Sequence, residues 1–195
     1  MPSFSKFRTV QGRPAIIALT GFMAAGKSST GRALAWLLKW GFIDLDCEIE
    51  LRSKRSIREI FAQLGESKFR ELEAEALRSA VKAAIGSTVI ALGGGTFVDP
   101  KNARLLRESG ARVIFLELPV EQLLQRCRAL SERGGQNPRP LAENEEAFCA
   151  LYAQRLPFYR QADLVVNADG KTPEQIAHEI AQKLRLHDSK STTIA

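Results

Sequence analysis

The stretch Gly21-Phe-Met-Ala-Ala-Gly26-Lys27-Ser28 follows directly on the apolar run Ile16-Ile17-Ala18-Leu19 and opens into a helix-periodic segment from Arg32 to Trp40. A strand, a glycine-bracketed loop ending in Lys-Ser, and a helix, in that order, form a phosphate-binding loop and commit the chain to an α/β fold built around it. The spacing has a physical reason. Two glycines let the backbone curl so that successive N–H groups face an anion, while the helix beginning near Lys27 aims the positive end of its dipole at the same point. Ala24, Ala25, Gly26, Lys27, Ser28 and Ser29 form the expected cradle for nucleotide phosphates, with Lys27 reaching the outer phosphates and the Ser28 hydroxyl a Mg²⁺ ligand. Ala24 stands where many such loops carry a third glycine, which narrows the backbone's freedom there.

The rest of the chain repeats the alternation. Short β-rich runs at 15–20, 41–45, 87–92, 112–117 and 163–167 are separated by helix-period segments at 26–39, 46–53, 56–63, 67–84, 100–108, 119–130, 144–161 and 173–185. Strands alternating with helices predict a parallel sheet flanked by helices. Ser56 three residues before Glu59 is a capping box, and Pro119 and Pro173 stand at expected first helical positions. In the first helix, Leu34, Leu37, Leu38 and Trp40 form the stripe expected to face the core, with Trp36 as a packed neighbour.

The 195 residues suit one domain, and 45% hydrophobic content suffices for a core. Residues 1–13 and 187–195 are expected to be disordered tails. The three cysteines, Cys47, Cys127 and Cys149, lack metal or redox spacing and read as buried small apolar residues of a reducing compartment. A net charge of +6 suits anionic partners, but the basic residues are scattered beside acids, as Arg52, Lys54 and Arg55 are beside Glu48 and Glu50. That pattern excludes a nucleic-acid partner. No run approaches the ~18 apolar residues of a membrane span, and Met1 to Arg13 lacks the apolar core of a secretory signal, so a cytoplasmic protein is expected.

Candidate chemistry collects at the predicted strand ends, where open α/β sheets bind ligands. Asp44 and Asp46 end the second strand, and alternation in an extended segment places them on one side, one for Mg²⁺ and one for an acceptor. Capping of the following helix by Asp46 is the alternative. The two histidines, His178 and His187, are poorly placed, so the general base is a carboxylate, and Asp46 is the candidate. Arg70 and Glu73 share one helical face, either as a surface ion pair or as an arginine fork held for a carboxylate. Gly93, Gly94 and Gly95 close the third strand, where missing side chains favour close approach of a ligand to backbone. The segment Ser131 to Pro140, rich in glycine and proline, reads as a lid carrying Arg139 over the phosphoryl group. Arg155 alone says little.

In order along the chain, Gly21 to Ser28, Asp44-Leu45-Asp46, Ile60-Phe61, Gly65-Glu66, Phe69-Arg70 with Glu73, Gly93-Gly94-Gly95, Arg139-Pro140-Leu141, and Arg155 with Pro157 and Tyr159 resemble the shikimate kinases. The similarity runs from about residue 15 to 185. It implies a single-domain P-loop fold with a five-stranded parallel sheet in the order 2-3-1-4-5 and a flexible lid at about 129–141. The activity implied is ATP-dependent phosphorylation of the 3-hydroxyl of shikimate, with ATP and Mg²⁺ required and a monomer as the usual state. Carried over by residue, the resemblance makes Asp46 the group that orients and deprotonates the hydroxyl, and Asp44 a member of the Mg²⁺ shell. Arg70 and Arg155 grip the carboxylate, Glu73 fixes Arg70, the backbone of Gly93, Gly94 and Gly95 meets substrate hydroxyls, and Lys27 and Arg139 contact the transferring phosphoryl group. For the adenine clamp, Arg133 or Arg128 and Pro173 are the counterparts.

Overall fold

A computed structural model describes residues 15–84, 86–132 and 144–186. Five strands, β1 (Ile16–Thr20), β2 (Gly41–Asp44), β3 (Thr88–Ala91), β4 (Arg112–Glu117) and β5 (Leu164–Asn167), form one parallel sheet in the order β2-β3-β1-β4-β5. The seven helices among the described residues are α1 (Lys27–Leu38), α2 (Leu45–Ser53), α3 (Ile57–Ala83), α4 (Pro100–Glu108), α5 (Val120–Glu132), α6 (Glu145–Tyr159) and α7 (Pro173–Lys183).

Alternation along β1 divides the core. Ile17 and Leu19 enter one apolar cluster together with Leu34, Ile114, Phe148 and Ile180, whereas Ile16 and Ala18 enter a second with Leu45, Ile60, Leu77 and Leu106. The central strand is therefore buried on both faces, and all five of its residues are buried. Because every strand is parallel, all five carboxyl ends share one edge of the sheet. The register sets Leu19 of β1 against Ala91 of β3, and Asp44 of β2 against the same Ala91.

Local chemistry fixes the boundaries. Ser56 and Glu59 form the expected capping box, with Ser56 N donating to Glu59 Oε2 at 2.8 Å and Glu59 N donating to Ser56 Oγ at 3.2 Å. Thr172 and Gln175 make a second box at α7, with Pro173 at its first turn. Helix α5 starts at Val120, so Pro119 caps it from outside, its carbonyl accepting from Gln122 and Leu123. The two helices expected at 56–63 and 67–84 are the two parts of α3, which kinks at Gly65, whose φ of 78° and ψ of 172° leave the helical path in the expected gap. A short 3₁₀ turn, Thr96–Val98, follows the glycine triad.

Three expectations change. The strand ends at Asp44, and Leu45 already begins a helix, so Asp44 and Asp46 do not share an extended segment; Asp44, not Asp46, is the cap, its Oδ1 accepting from Cys47 N at 3.5 Å. Trp36 is 85% exposed, because α1 turns Leu34 and Ala35 inward and residues 32 and 36 to the opposite side. Cys47 is exposed in the first turn of α2 and Cys149 is half-buried, which leaves Cys127 as the buried one. The expected tails, most of the lid and Arg139 lie outside the described residues. No described helix is long and apolar enough to cross a membrane.

Candidate active site

The loop between β1 and α1 takes the conformation its glycines allow. Gly21, Ala24 and Gly26 have φ of 146°, 60° and 87°, so Ala24 bears left-handed backbone strain that a glycine would not. Gly26 caps α1 with no side-chain acceptor, which leaves the first N–H groups of the helix for an anion. Lys27 lies along the loop, its Nζ donating to the carbonyls of Gly21 and Phe22 at 2.9 Å each. Phe22 is fully buried and meets Phe148 and Tyr152 edge-on, with ring centroids 5.0 and 5.4 Å away, which anchors the loop on α6.

Beside this loop opens a cleft of about 410 Å³ that Gly26, Lys27, Ser28 and Ser29 share with Asp44 and Asp46. Although Asp46 sits one residue into α2, the first helical turn still directs it to the same cleft as Asp44. Helix α5 supplies the opposite wall through Arg126, Ala129 and Leu130. Arg126 was not singled out in the sequence, where Arg128 and Arg133 stand closer to the lid; Arg128 instead pairs with Glu145 on the surface at 3.0 Å, and Arg133 lies outside the described residues.

Each glycine after β3 makes room for a charged side chain. A Cβ on Gly93 would stand 2.6 Å from Glu73 Oε1 and 3.1 Å from Asp46 Oδ1; one on Gly94 would stand 3.7 Å from Arg155 Nη1 and 3.7 Å from Met23 N; one on Gly95 would collide with the Arg70 guanidinium. The triad is thus where α3, α6, the first turn of α2 and the phosphate loop converge. Glu73 is 1% exposed, and its Oε2 accepts from Arg70 Nη1 at 2.8 Å. Arg70 also pairs with the exposed Glu66 at 3.0 Å and has its guanidinium 5.1 Å from the Phe69 ring centroid. The Arg70–Glu73 pair is therefore an arginine braced by a buried carboxylate rather than a solvated surface pair.

Helix α6 approaches from the other side. Arg155 Nη1 donates to the Gly94 carbonyl at 3.4 Å, and one turn later the Tyr159 hydroxyl donates to the same oxygen at 2.5 Å. Tyr159 is fully buried and stacks on Phe115 at 5.2 Å. Burial pushes its phenol up to about 12. Pro157, inside α6, lies between the two.

Over residues 23–185 the chain matches the family profile described as "SKI: Shikimate kinase". The chain belongs to the shikimate kinase family. Shikimate kinase of Thermus thermophilus is 42% identical over 177 residues, covering 90% of this chain and 93% of that protein. Shikimate kinase of Persephonella marina is 38% identical over 172 residues, covering 87% and 98%. The crystallised shikimate kinase from Acinetobacter baumannii in complex with shikimate superposes with a TM-score of 0.79 at 31% identity, covering 89% of this chain and 94% of that one.

Shikimate kinases are phosphotransferases that use ATP with Mg²⁺. The cleft of this member fits both. Its uncapped α1 terminus and left-handed Gly26 suit a phosphate, while the Ser28 hydroxyl and the Asp44 carboxylate, both lining the cleft, are hard oxygen donors of the kind Mg²⁺ takes. Among the described residues no three His, Cys, Asp or Glu side chains gather closely enough to hold a metal by themselves.

Proposed function

We propose that this chain transfers the γ-phosphoryl group of ATP to the 3-hydroxyl of shikimate, giving shikimate 3-phosphate and ADP in the biosynthesis of aromatic amino acids. The observation that carries this reading is the glycine triad. The missing side chains of Gly93, Gly94 and Gly95 face, in turn, a pair of carboxylates, the phosphate loop with Arg155, and Arg70. An acceptor bearing several hydroxyls and one carboxylate matches that set: the guanidinium forks of Arg70 and Arg155 take the carboxylate, and the triad's backbone takes hydroxyls.

Each residue then has one task. Asp46 orients the acceptor hydroxyl and receives its proton. Lys27 exchanges the loop carbonyls for the phosphates, Ala24 to Ser29 cradle them by backbone, and Ser28 with Asp44 holds Mg²⁺. When bound, that ion offsets charge on the phosphate oxygens. Glu73 keeps Arg70 aimed at the carboxylate. Because α5 runs on to Glu132, the lid is the segment beyond it, to about residue 141, which excludes water and brings Arg139 to the transferring group. We further propose a monomer working in the cytoplasm without a nucleic-acid partner.

The test is ADP release from Mg·ATP with shikimate, gluconate, AMP and CMP offered separately. Release with shikimate alone is expected. Release with another acceptor reassigns the Arg70 and Arg155 pocket, and release with none makes the chain a nucleotide-binding protein without this activity.

A further inference from the structure

Glu73 is nearly inaccessible to solvent, and Arg70 occupies only one of its oxygens. The other oxygen, Oε1, accepts from the hydroxyl of Thr96 at 2.7 Å. Thr96 is fully buried, opens the 3₁₀ turn that follows the glycine triad, and its own N–H donates to the Gly93 carbonyl at 3.2 Å. It is thus tied by backbone to the triad and by side chain to the carboxylate that braces Arg70.

We propose that Thr96 is a positioning residue of the acceptor site: its hydroxyl fixes the plane of the Glu73 carboxylate, and Glu73 in turn fixes the Arg70 guanidinium beside Gly95. The proposal rests on the reading that Arg70 receives the acceptor's carboxylate.

The physical case begins with like charge. The same point beside Gly93 lies 2.6 Å from Glu73 Oε1 and 3.1 Å from Asp46 Oδ1, so two carboxylates face each other across a glycine. With Glu73 buried and Asp46 on the cleft wall, their repulsion favours a rotated Glu73 unless Oε1 is held by a donor. Thr96 Oγ1 is that donor. A single ion pair across one helical turn leaves a long side chain free to pivot, whereas one hydrogen bond on each carboxylate oxygen sets both its position and its plane. Arg70 also has a competing partner: the exposed Glu66 binds its Nε and Nη2 at 3.3 and 3.0 Å. If Glu73 turns, Arg70 is left to Glu66, at the rim of the site. Glu73 holds Arg70 through Nη1 while Glu66 holds it through Nε and Nη2, so position 96 bears on whether the buried acid keeps its share of the arginine, although Thr96 itself reaches neither the arginine nor the substrate.

Thr96→Val keeps the shape and removes the hydroxyl; Thr96→Ser keeps the hydroxyl and removes the methyl. Steady-state kinetics of the full chain with Mg·ATP and shikimate should show KM for shikimate raised about tenfold in Thr96→Val, the scale of one lost hydrogen bond to a charged group. KM for ATP should stay within about twofold, and Thr96→Ser should stay near the parent on both. Thr96→Ala, run beside them with thermal melts of all variants, covers the case in which valine does not fold. An unchanged shikimate KM in folded Val and Ala variants overturns the proposal, as does equal damage by serine and valine, or ATP and shikimate KM rising together. Arg70→Lys is the control for the site itself: if it leaves shikimate KM unaltered, the reading of Arg70 fails and this proposal with it.

Discussion

At the scale of single residues, two groups have measurable consequences of their own. Asp46 lies where a carboxylate meets both the phosphate loop and the glycine triad, and among the described residues the one histidine, His178, is exposed on α7. Asp46→Asn keeps the size and removes the carboxylate proposed as the base, so kcat should fall by about 100-fold or more while ATP affinity, measured by titration calorimetry, changes little. Equal loss of both would reject Asp46 as the base. The second group is the phenol. Both tyrosines, Tyr152 and Tyr159, titrate above their ordinary 10.0, burial being the first cause, and Tyr159 is displaced to about 12. The folded state thus holds the Tyr159 proton more tightly than the unfolded chain does. Stability from this site is complete below about pH 10 and drains away as pH rises toward about 12. Ultraviolet titration of the native protein should show no tyrosine ionising normally, and Tyr159→Phe should flatten the alkaline fall in melting temperature.

At the scale of elements, the triad gives a cleaner test than most loops. Gly95 has φ −104° and ψ −13°, a conformation open to any residue, so Gly95→Ala brings no backbone strain. It brings only a methyl group against Arg70, with Cζ and Nη2 each 2.9 Å from it. Shikimate KM should rise, while melting temperature and ATP KM hold nearly constant. A matching loss of stability would mean that the glycine serves the fold and not the site. The same elements show what a sequence can and cannot announce. All five strands lie within a residue or so of expectation because each is a short apolar run bounded by breakers, a local signal that holds for the buried β1, β3 and β4 and for the partly exposed edge strands β2 and β5 alike. The phosphate loop, Asp44 and Asp46, and the glycine triad stand out as candidates for a similar reason, because each is a local pattern with its own chemistry; Arg70 keeps two readings until the burial of Glu73 is known, Arg155 gains a role only from the resemblance, and Arg139 lies outside the described residues. What was not legible depends on direction in space. Trp36 is apolar, yet it stands two residues from both Leu34 and Leu38 and so on the far side of α1, a spacing that periodicity could have flagged. Arg126 offers nothing distinctive in a row of arginines until α5 is laid along the cleft. Thr96 pairs with a glutamate 23 positions earlier, a distance that no local pattern spans.

At the scale of the whole molecule, the two apolar clusters lie on opposite faces of one sheet and are joined through β1, whose alternate residues enter each. Neither face can lose its packing without exposing the same strand, so unfolding should be a single event. Far-ultraviolet dichroism and tryptophan fluorescence, which here samples the exposed Trp36 and the half-buried Trp40, should give superimposable denaturation curves. Separate midpoints would show two independently stable halves. The pairing of β1 with β3 carries one more implication. The phosphate loop leaves β1 and the glycine triad leaves its immediate neighbour β3, so the two sides of the proposed reaction are carried by adjacent strands, a single rung of the sheet, about 4.8 Å, apart. That rung is set by backbone hydrogen bonds and is among the stiffest lengths in the molecule. In the proposed reaction the relative placement of the phosphate side and the acceptor side therefore belongs to the sheet itself.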